Sequence, residues 1–260
     1  MRTSLRRIAI AALLTLATAG SVTAQGTAKS RSNITVHWLG HATFEIVSAG
    51  GTRILIDPFL TGNPTTPDSL KQLSRYTGAL KPAAVLITHS HFDHIQDAKA
   101  IATGSGAKVI GNYELVASLG LPEAQALGGN PGGSIKVGDV TVHIVPAMHS
   151  SEPGRPVGFV LEFADGRSLY HTGDTWVFGD MSLIEEFYHP SIILLGAGGG
   201  PYGEDPAAAA RAVRKYFHPT TIVPMHYGTF PGLATEAQVR AVFGSDKRAV
   251  IMTPGQTRTF

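Results

Sequence analysis

The chain has 260 residues, 43% of them hydrophobic, enough for one large domain with a substantial core. It has no cysteine, so disulfide scaffolds and thiolate metal sites are excluded. The formal charge of +2 is set by the N-terminus: without Arg2, Arg6 and Arg7, 18 basic residues face 19 acidic ones, and no basic cluster remains to suit nucleic acid or an anionic membrane.

Residues 1–24 have the pattern of a secretory signal: three arginines, an apolar run over 8–19, then Val22-Thr23-Ala24 as a small-residue cleavage site. The run is too short for a bilayer span, which needs about 20 residues. The expectation is a mature chain from Gln25, periplasmic or secreted, with no stable membrane anchor. Residues 25–32, small and polar, read as a disordered lead-in to a single domain over 33–260.

Short β-rich runs follow at 34–38, 43–47 and 53–56, separated by Gly40-His41 and Gly50-Gly51, and predict an antiparallel meander. Asp57-Pro58 ends the third run. The segment 61–68, with Gly62, Asn63, Pro64 and Pro67, reads as a loop able to cover a site, followed by a short helix near 69–75.

The apolar run 83–87 then predicts a central strand that leads into Thr88-His89-Ser90-His91-Phe92-Asp93-His94. His89 and His91 are two apart at a strand end, so both imidazoles project to one side and suit one cation. Asp93 and His94 come where the chain leaves for a helix over 95–103, and so face a neighbouring position. That geometry leaves room for two adjacent metals. Nitrogen and carboxylate ligands without thiolate suit a hydrolytic zinc, iron or manganese centre. The bland reading makes Asp93 an N-cap and the histidines loop residues. Three of eleven histidines within six positions weigh against it.

A strand over 108–111 and a helix over 113–119 complete a β-α-β-α pattern. A second set of strands is expected at 134–137, 140–145, 157–163 and 168–170, with Gly138-Asp139 and Asp165-Gly166 as hairpin turns. Then come helix 181–187, strand 192–195, helix 206–216, strand 221–223, helix 236–243 and strand 249–252. Two strand-rich halves with helices outside predict an α/β (α+β) fold, a four-layer αββα sandwich of antiparallel sheets.

Three further metal-capable residues stand just past apolar runs: His149, Asp174 and His226. Singly each reads as a turn or capping residue. Together with the cluster they read as the ligands it lacks.

With these residues in place the chain resembles the metallo-β-lactamase superfamily over almost its whole mature length. The His-x-His-x-Asp-His signature stands at His89, His91, Asp93 and His94. The blocks Trp38-Leu39-Gly40-His41-Ala42-Thr43-Phe44, Asp57-Pro58-Phe59, His171-Thr172-Gly173-Asp174-Thr175 and Pro224-Met225-His226-Tyr227-Gly228-Thr229-Phe230 are similar to those of its ascorbate-6-phosphate lactonase-like branch. N-acyl-phosphatidylethanolamine phospholipase D is a more distant likeness. The resemblance implies the metallo-β-lactamase fold with its site at one edge of the sandwich. It also implies two divalent metal ions, zinc or else manganese or iron: His89, His91 and His149 on one, Asp93, His94 and His226 on the other, Asp174 bridging.

Two such cations share a water, lower its pKa toward neutrality and polarise the scissile carbonyl or phosphoryl oxygen. Asp93 and Asp174 are then the catalytic carboxylates, Asp93 as proton shuttle to the leaving group. Asp57 reads as an acceptor for a ligand imidazole, or as an Asp-Pro turn. His41 could line the pocket or bind substrate, Tyr227 and Thr229 could donate to an oxyanion, and Arg155 in the loop 150–156 could meet an anionic group. Gly196 to Gly203 could bind an anion at the next helix start, but it has no P-loop lysine. The expected function is an exported dinuclear hydrolase of an ester, lactone or phosphoester in a small-molecule substrate. A β-lactamase is the enzymatic rival, disfavoured because true β-lactamases of this fold lack the bridging carboxylate. A non-catalytic metal-binding or interaction module is the other alternative, and a full set of seven ligand positions argues against it. Metal identity, substrate and oligomeric state are not legible.

Overall fold

In a computed structural model of the protein, residues 33–260 are described, so the expected signal and lead-in lie outside the described residues. The first half contains β1 (Thr35–Gly40), β2 (Thr43–Val47), β3 (Arg53–Ile56), α1 (Ser74–Thr77), β4 (Ala84–Leu86), α2 (Phe92–Ile95), α3 (Ala98–Ser105), β5 (Lys108–Asn112), α4 (Tyr113–Ser118) and β6 (Ala126–Gly129). The second contains β7 (Ser134–Val137), β8 (Val140–Pro146), β9 (Val157–Glu162), β10 (Ser168–His171), α5 (Met181–Tyr188), β11 (Ile192–Gly196), α6 (Pro206–Tyr216), β12 (Thr221–Met225), α7 (Glu236–Phe243) and β13 (Thr257–Thr259). No helix among the described residues is long and apolar enough to cross a membrane.

Two sheets form, one of seven strands in the order β13-β1-β2-β3-β4-β5-β6, the other of six in the order β12-β11-β10-β9-β8-β7. Side-chain alternation shows the layering. Ile54, Ile56, Ala84 and Leu86 point into the core between the sheets, while Leu55, Val85 and Ile87 join a second cluster with Ile101, Ala102 and Leu115 of the helices outside. On the far side Met181, Ala212, Val213, Val239 and Phe243 of α5, α6 and α7 pack against the other sheet. This is the expected four-layer αββα sandwich. The central strands β4 and β11 are buried on both faces, which is why each reads as an unbroken apolar run.

The sheets are mixed rather than antiparallel, a correction to the sequence reading. β1 to β3 form the expected meander, but β3, β4, β5 and β6 run parallel, as do β10, β11 and β12. The connections between those strands carry helices, the crossovers that parallel neighbours require. The consequence is positional. β1, β3 and β4 all end at one edge of their sheet, and β8, β10 and β12 at one edge of theirs.

Two strands were missed and one was misread. β6 contains Gly128 and Gly129, and β13 is a three-residue polar strand exposed on the sheet edge. The expected strand at 249–252 makes only one bridge, between Ile222 and Ala249. The helix expected over 95–103 is two helices, and the first begins at Phe92, so Asp93 and His94 lie within helix α2.

Candidate metal centre

The predicted ligands come from the segments that follow β4, β8, β10 and β12. His89, His91 and His149 bring ring nitrogens together: His89 Nε2 is 2.9 Å from His91 Nδ1, which is 3.2 Å from His149 Nε2. Beside them His226 Nε2 lies 2.8 Å and His94 Nε2 3.3 Å from Asp174 Oδ2, and Asp93 Oδ2 is 3.9 Å from His226 Nε2. Asp174 Oδ2 is also 3.9 Å from His149 Nε2, so that carboxylate stands between the two groups.

The outward nitrogens decide which lone pairs face inward. The Thr88 hydroxyl donates to Asp57 Oδ2 at 2.7 Å and so accepts from His89 Nδ1 at 3.0 Å, which leaves His89 Nε2 as a lone pair. His94 Nδ1 donates to Asp57 Oδ2 at 2.7 Å, which turns its Nε2 inward toward Asp174, and His91 Nε2 lies 3.4 Å from Ser150 Oγ, which leaves its Nδ1 facing the cluster. Ring nitrogens and a carboxylate oxygen gathered at about 3 Å form a donor set that a cation among them would satisfy. Asp174 Oδ1, buried with no hydrogen-bond partner among the described residues, is an acceptor left unmet. A divalent cation at each group fits both observations.

The same features shift the titrations. Burial disfavours the charged form of Asp174, but the His226 and His94 imidazoles outweigh it and hold the carboxyl well below its ordinary value. Burial opposes a charge on His94 as well, yet the Asp174 and Asp57 carboxylates raise it well above the usual imidazole value. His89 has no comparable partner, and burial takes it well below.

Asp57 is the imidazole acceptor that one of its two readings expected. It also accepts the Thr88 backbone N–H at 2.7 Å, so one buried carboxylate orients His94 directly and His89 through Thr88. His41 has a different place from the one expected. It is fully buried and does not line the cavity; its Nε2 donates to Asp93 Oδ2 at 2.9 Å and its Nδ1 accepts from the Thr229 hydroxyl at 2.9 Å. Burial first and His226 second lower its pKa to about 3, so it is neutral. His41 and Thr229 therefore fix the Asp93 carboxylate rather than meet substrate. His41, Asp57 and His226 all adopt positive φ, at 55°, 45° and 66°. Three non-glycine residues in the left-handed region at one site are the strain expected where function dictates backbone direction.

Tyr227 is no oxyanion donor. Its hydroxyl donates to the Met252 carbonyl at 3.1 Å, with its ring against Trp38. Arg155 is exposed and does not line the cavity, because its loop is drawn onto Asn112, whose Oδ1 accepts the Arg155 N–H at 3.1 Å. The 61–68 loop does not cover the site either: Asp97 holds its start through the N–H groups of Leu60 and Thr61. The start of α6 offers no anion site, since the Asp205 side chain already accepts from Ala208 N. His171 is structural, its Nε2 donating to Ala42 O at 3.0 Å.

Sequence reasoning missed the walls of the site. A cavity of about 380 Å³ opens above the cluster, with Phe92, Tyr202, Phe230, Pro231 and Leu233 around it. It also missed Gly198, where a Cβ would lie 2.6 Å from His226 Nδ1; the glycine run was the only signal. Nor was Glu204 singled out. It is buried with neither carboxylate oxygen partnered among the described residues, and burial, with Asp205 beside it, pushes it up to about 8.

The profile described as Beta-lactamase superfamily domain matches residues 35–226. A UPF0173 metal-dependent hydrolase of Myxococcus xanthus is 42% identical over 289 aligned residues, spanning 99% of this chain and 98% of its own. Another from Pyrobaculum islandicum is 42% identical over 85% of this chain and 98% of its own. Among solved structures, Igni18, a metallo hydrolase from the archaeon Ignicoccus hospitalis, superposes with a TM-score of 0.78 at 35% identity, over 88% of this chain and 99% of that one.

Proposed function

The chain belongs to the β-lactamase superfamily and is a metal-dependent hydrolase, and from that premise we propose that it works with two divalent cations, on the ester, lactone or phosphoester bond of a small molecule. The observation that carries the reading is the convergence of two ligand groups on either side of Asp174 Oδ2. The donor set of imidazole and carboxylate suits zinc, with manganese and iron as alternatives. His89, His91 and His149 would hold one ion and Asp93, His94 and His226 the other, with the Asp174 carboxylate within reach of both groups. When bound, the pair supplies Lewis acidity and a water acidified toward neutral pH.

The chain's own residues do the rest. Asp57 and Thr88 keep the inward nitrogens of His94 and His89 aimed at the cluster. His41 holds Oδ2 of Asp93, a partly exposed carboxylate at the cavity floor, where it takes up the proton released during attack and passes it to the leaving group. No side-chain nucleophile is needed. The export pattern of residues 1–24 extends the proposal to a secreted or periplasmic protein beginning at Gln25.

Elemental analysis of the purified protein, coupled to turnover of ester, lactone, phosphodiester and β-lactam substrates, tests the reading. Two metal ions per chain are expected, falling to one or none in Asp174→Ala with loss of turnover. Full activity in Asp174→Ala would sink the mechanism. Faster turnover of a penicillin or carbapenem than of any ester or lactone would make the protein a β-lactamase.

A further inference from the structure

The cavity above the cluster has two chemically distinct halves. Its floor is made of His91, Asp93, His149, Asp174 and His226, all members of the ligand groups. Its walls are Phe92, Tyr202, Phe230, Pro231 and Leu233, and among the described residues no lysine or arginine lines it. The wall is built, not incidental. The rings of Phe92 and Phe230 lie 6.0 Å apart, each packed on the buried Phe59 at 5.7 and 6.0 Å, so Phe92 is fixed although 62% exposed. Tyr202 stands across the mouth at 63% exposure, carried by the glycine-rich loop before α6. Large side chains of this kind are costly to leave in water, and gathered around a functional cavity they mark a binding wall.

We propose that this wall selects a substrate with an uncharged apolar arm, so that the bond hydrolysed is a carboxylic ester or lactone of an aliphatic or aromatic acyl group, not a phosphoester or a phosphorylated sugar lactone. The inference rests on the hydrolase reading of the same site and narrows its substrate class. A phosphate arm on the wall side would exchange water for aromatic and aliphatic carbon with no cation and only the Tyr202 hydroxyl as donor, a loss nothing there offsets. An acyl chain loses nothing and gains burial. The carbonyl then rests over the floor, with the chain between Phe92, Phe230 and Tyr202.

The test compares p-nitrophenyl acetate, butyrate and hexanoate with p-nitrophenyl phosphate and bis(p-nitrophenyl) phosphate on the metal-loaded protein and on its Phe92→Ala and Tyr202→Ala variants. Both substituted side chains are mostly exposed, so the variants should fold. From acetate to butyrate, kcat/KM should rise about fourfold per methylene, with both phosphates at least about tenfold below butyrate. In the variants the butyrate-to-acetate ratio should fall toward one. A flat dependence on chain length, or a phosphate hydrolysed faster than butyrate, would overturn the proposal while leaving the hydrolase reading intact. If no compound is turned over, that reading fails for these bonds and binding still tests the wall. Calorimetry should then show benzohydroxamate binding the metal-loaded protein at least about tenfold more tightly than acetohydroxamate, with the advantage reduced in Phe92→Ala. Equal affinities would overturn the proposal.

Discussion

Asp57 shows how much of the site is settled by single residues outside the ligand set. Its carboxylate accepts from the Thr88 N–H, the Thr88 hydroxyl and His94 Nδ1, and the positive φ at Asp57 turns it there. Without metal, the neighbouring charges act on the proton at His94. Burial works against its charge, but Asp174 and then Asp57 raise its pKa well above the usual value, which favours a proton on both ring nitrogens when no cation is bound. A ligand nitrogen must be bare, so metal uptake has to expel that proton. The sign follows: affinity should weaken as pH falls, because protons compete at His94 from above pH 6.5 downward. Calorimetric titration of metal into the stripped protein at pH 7, in buffers of differing ionisation enthalpy, should report at least about one proton released per chain. Identical apparent enthalpies in all buffers would count against the assignment of His94.

At the scale of elements, the two sheets are joined at a pair of turns. The β7–β8 turn carries Asp139, whose carboxylate accepts from Ser48 Oγ at 2.7 Å, from Gly50 N at 3.1 Å and from the Thr52 hydroxyl, all around the β2–β3 turn. What burial Asp139 has works against ionisation, but the hydrogen bonds from Thr52 and Ser48 outweigh it and its pKa is lowered. Such a group adds stability above its unfolded value, near 3.9, and loses it as pH falls through the lower folded value. Asp139→Ala should therefore lower stability by about 1 kcal/mol at pH 5 to 8, since solvent partly screens a half-buried carboxylate. The gap in Tm between variant and parent should close toward pH 3. A gap that does not depend on pH would mean Asp139 acts only through the turn backbone. Gly138-Asp139 was legible as a turn; its bridging partner was not, because register along a chain says nothing about which turn lies opposite. The same distinction separates the other successes from the failures. His149, Asp174 and His226 were legible because each directly follows an apolar strand. β6 was missed because Ala126-Leu127-Gly128-Gly129 has no apolar alternation to show a strand, and its glycines serve close approach: a Cβ would lie 2.8 Å from Tyr113 Cα and 2.7 Å from Ile144 Cδ1. β13 lacked any apolar alternation to betray it. Tyr227 and Arg155 were near the site in sequence, yet hydrogen bonds to Met252 and Asn112 turn the hydroxyl and the loop elsewhere. Phe92, Tyr202 and Phe230 come from three separate segments, and a lone aromatic in sequence is indistinguishable from a core residue.

Over the whole domain, the candidate centre lies where the edges of the two sheets meet. His89, His91, Asp93 and His94 follow β4 of the seven-stranded sheet; His149, Asp174 and His226 follow β8, β10 and β12 of the six-stranded one. Protein hydrogen bonds already cross there, from His226 N to His41 O at 3.0 Å and from Val157 N to Thr88 O at 2.9 Å. The cluster gathers ring nitrogens and carboxylates from both sheets at the same place. Cations bound by ligands from both sheets would tie those edges together, and the unfolded chain cannot reproduce the geometry. Binding energy at the centre is therefore folding energy, by linkage about 4 kcal/mol for a site at a metal concentration 1,000 times its Kd. In a domain of this size each kcal/mol moves Tm by about 2 to 4 °C, so chelation should lower Tm by about 8 to 16 °C. Metal added back should restore it, and Asp174→Ala, which removes the carboxylate between the two ligand groups, should show a smaller difference between loaded and stripped protein. Hydrogen exchange separates this from a general loss of stability: the segments after β4, β8, β10 and β12 should lose protection first, while β7 and the edge strand β13, remote from any ligand in the chain, should change only with global unfolding. A Tm unchanged by chelation, with metal loss verified by elemental analysis, would mean that the sheet edges are held by their own hydrogen bonds and that the ions serve chemistry alone.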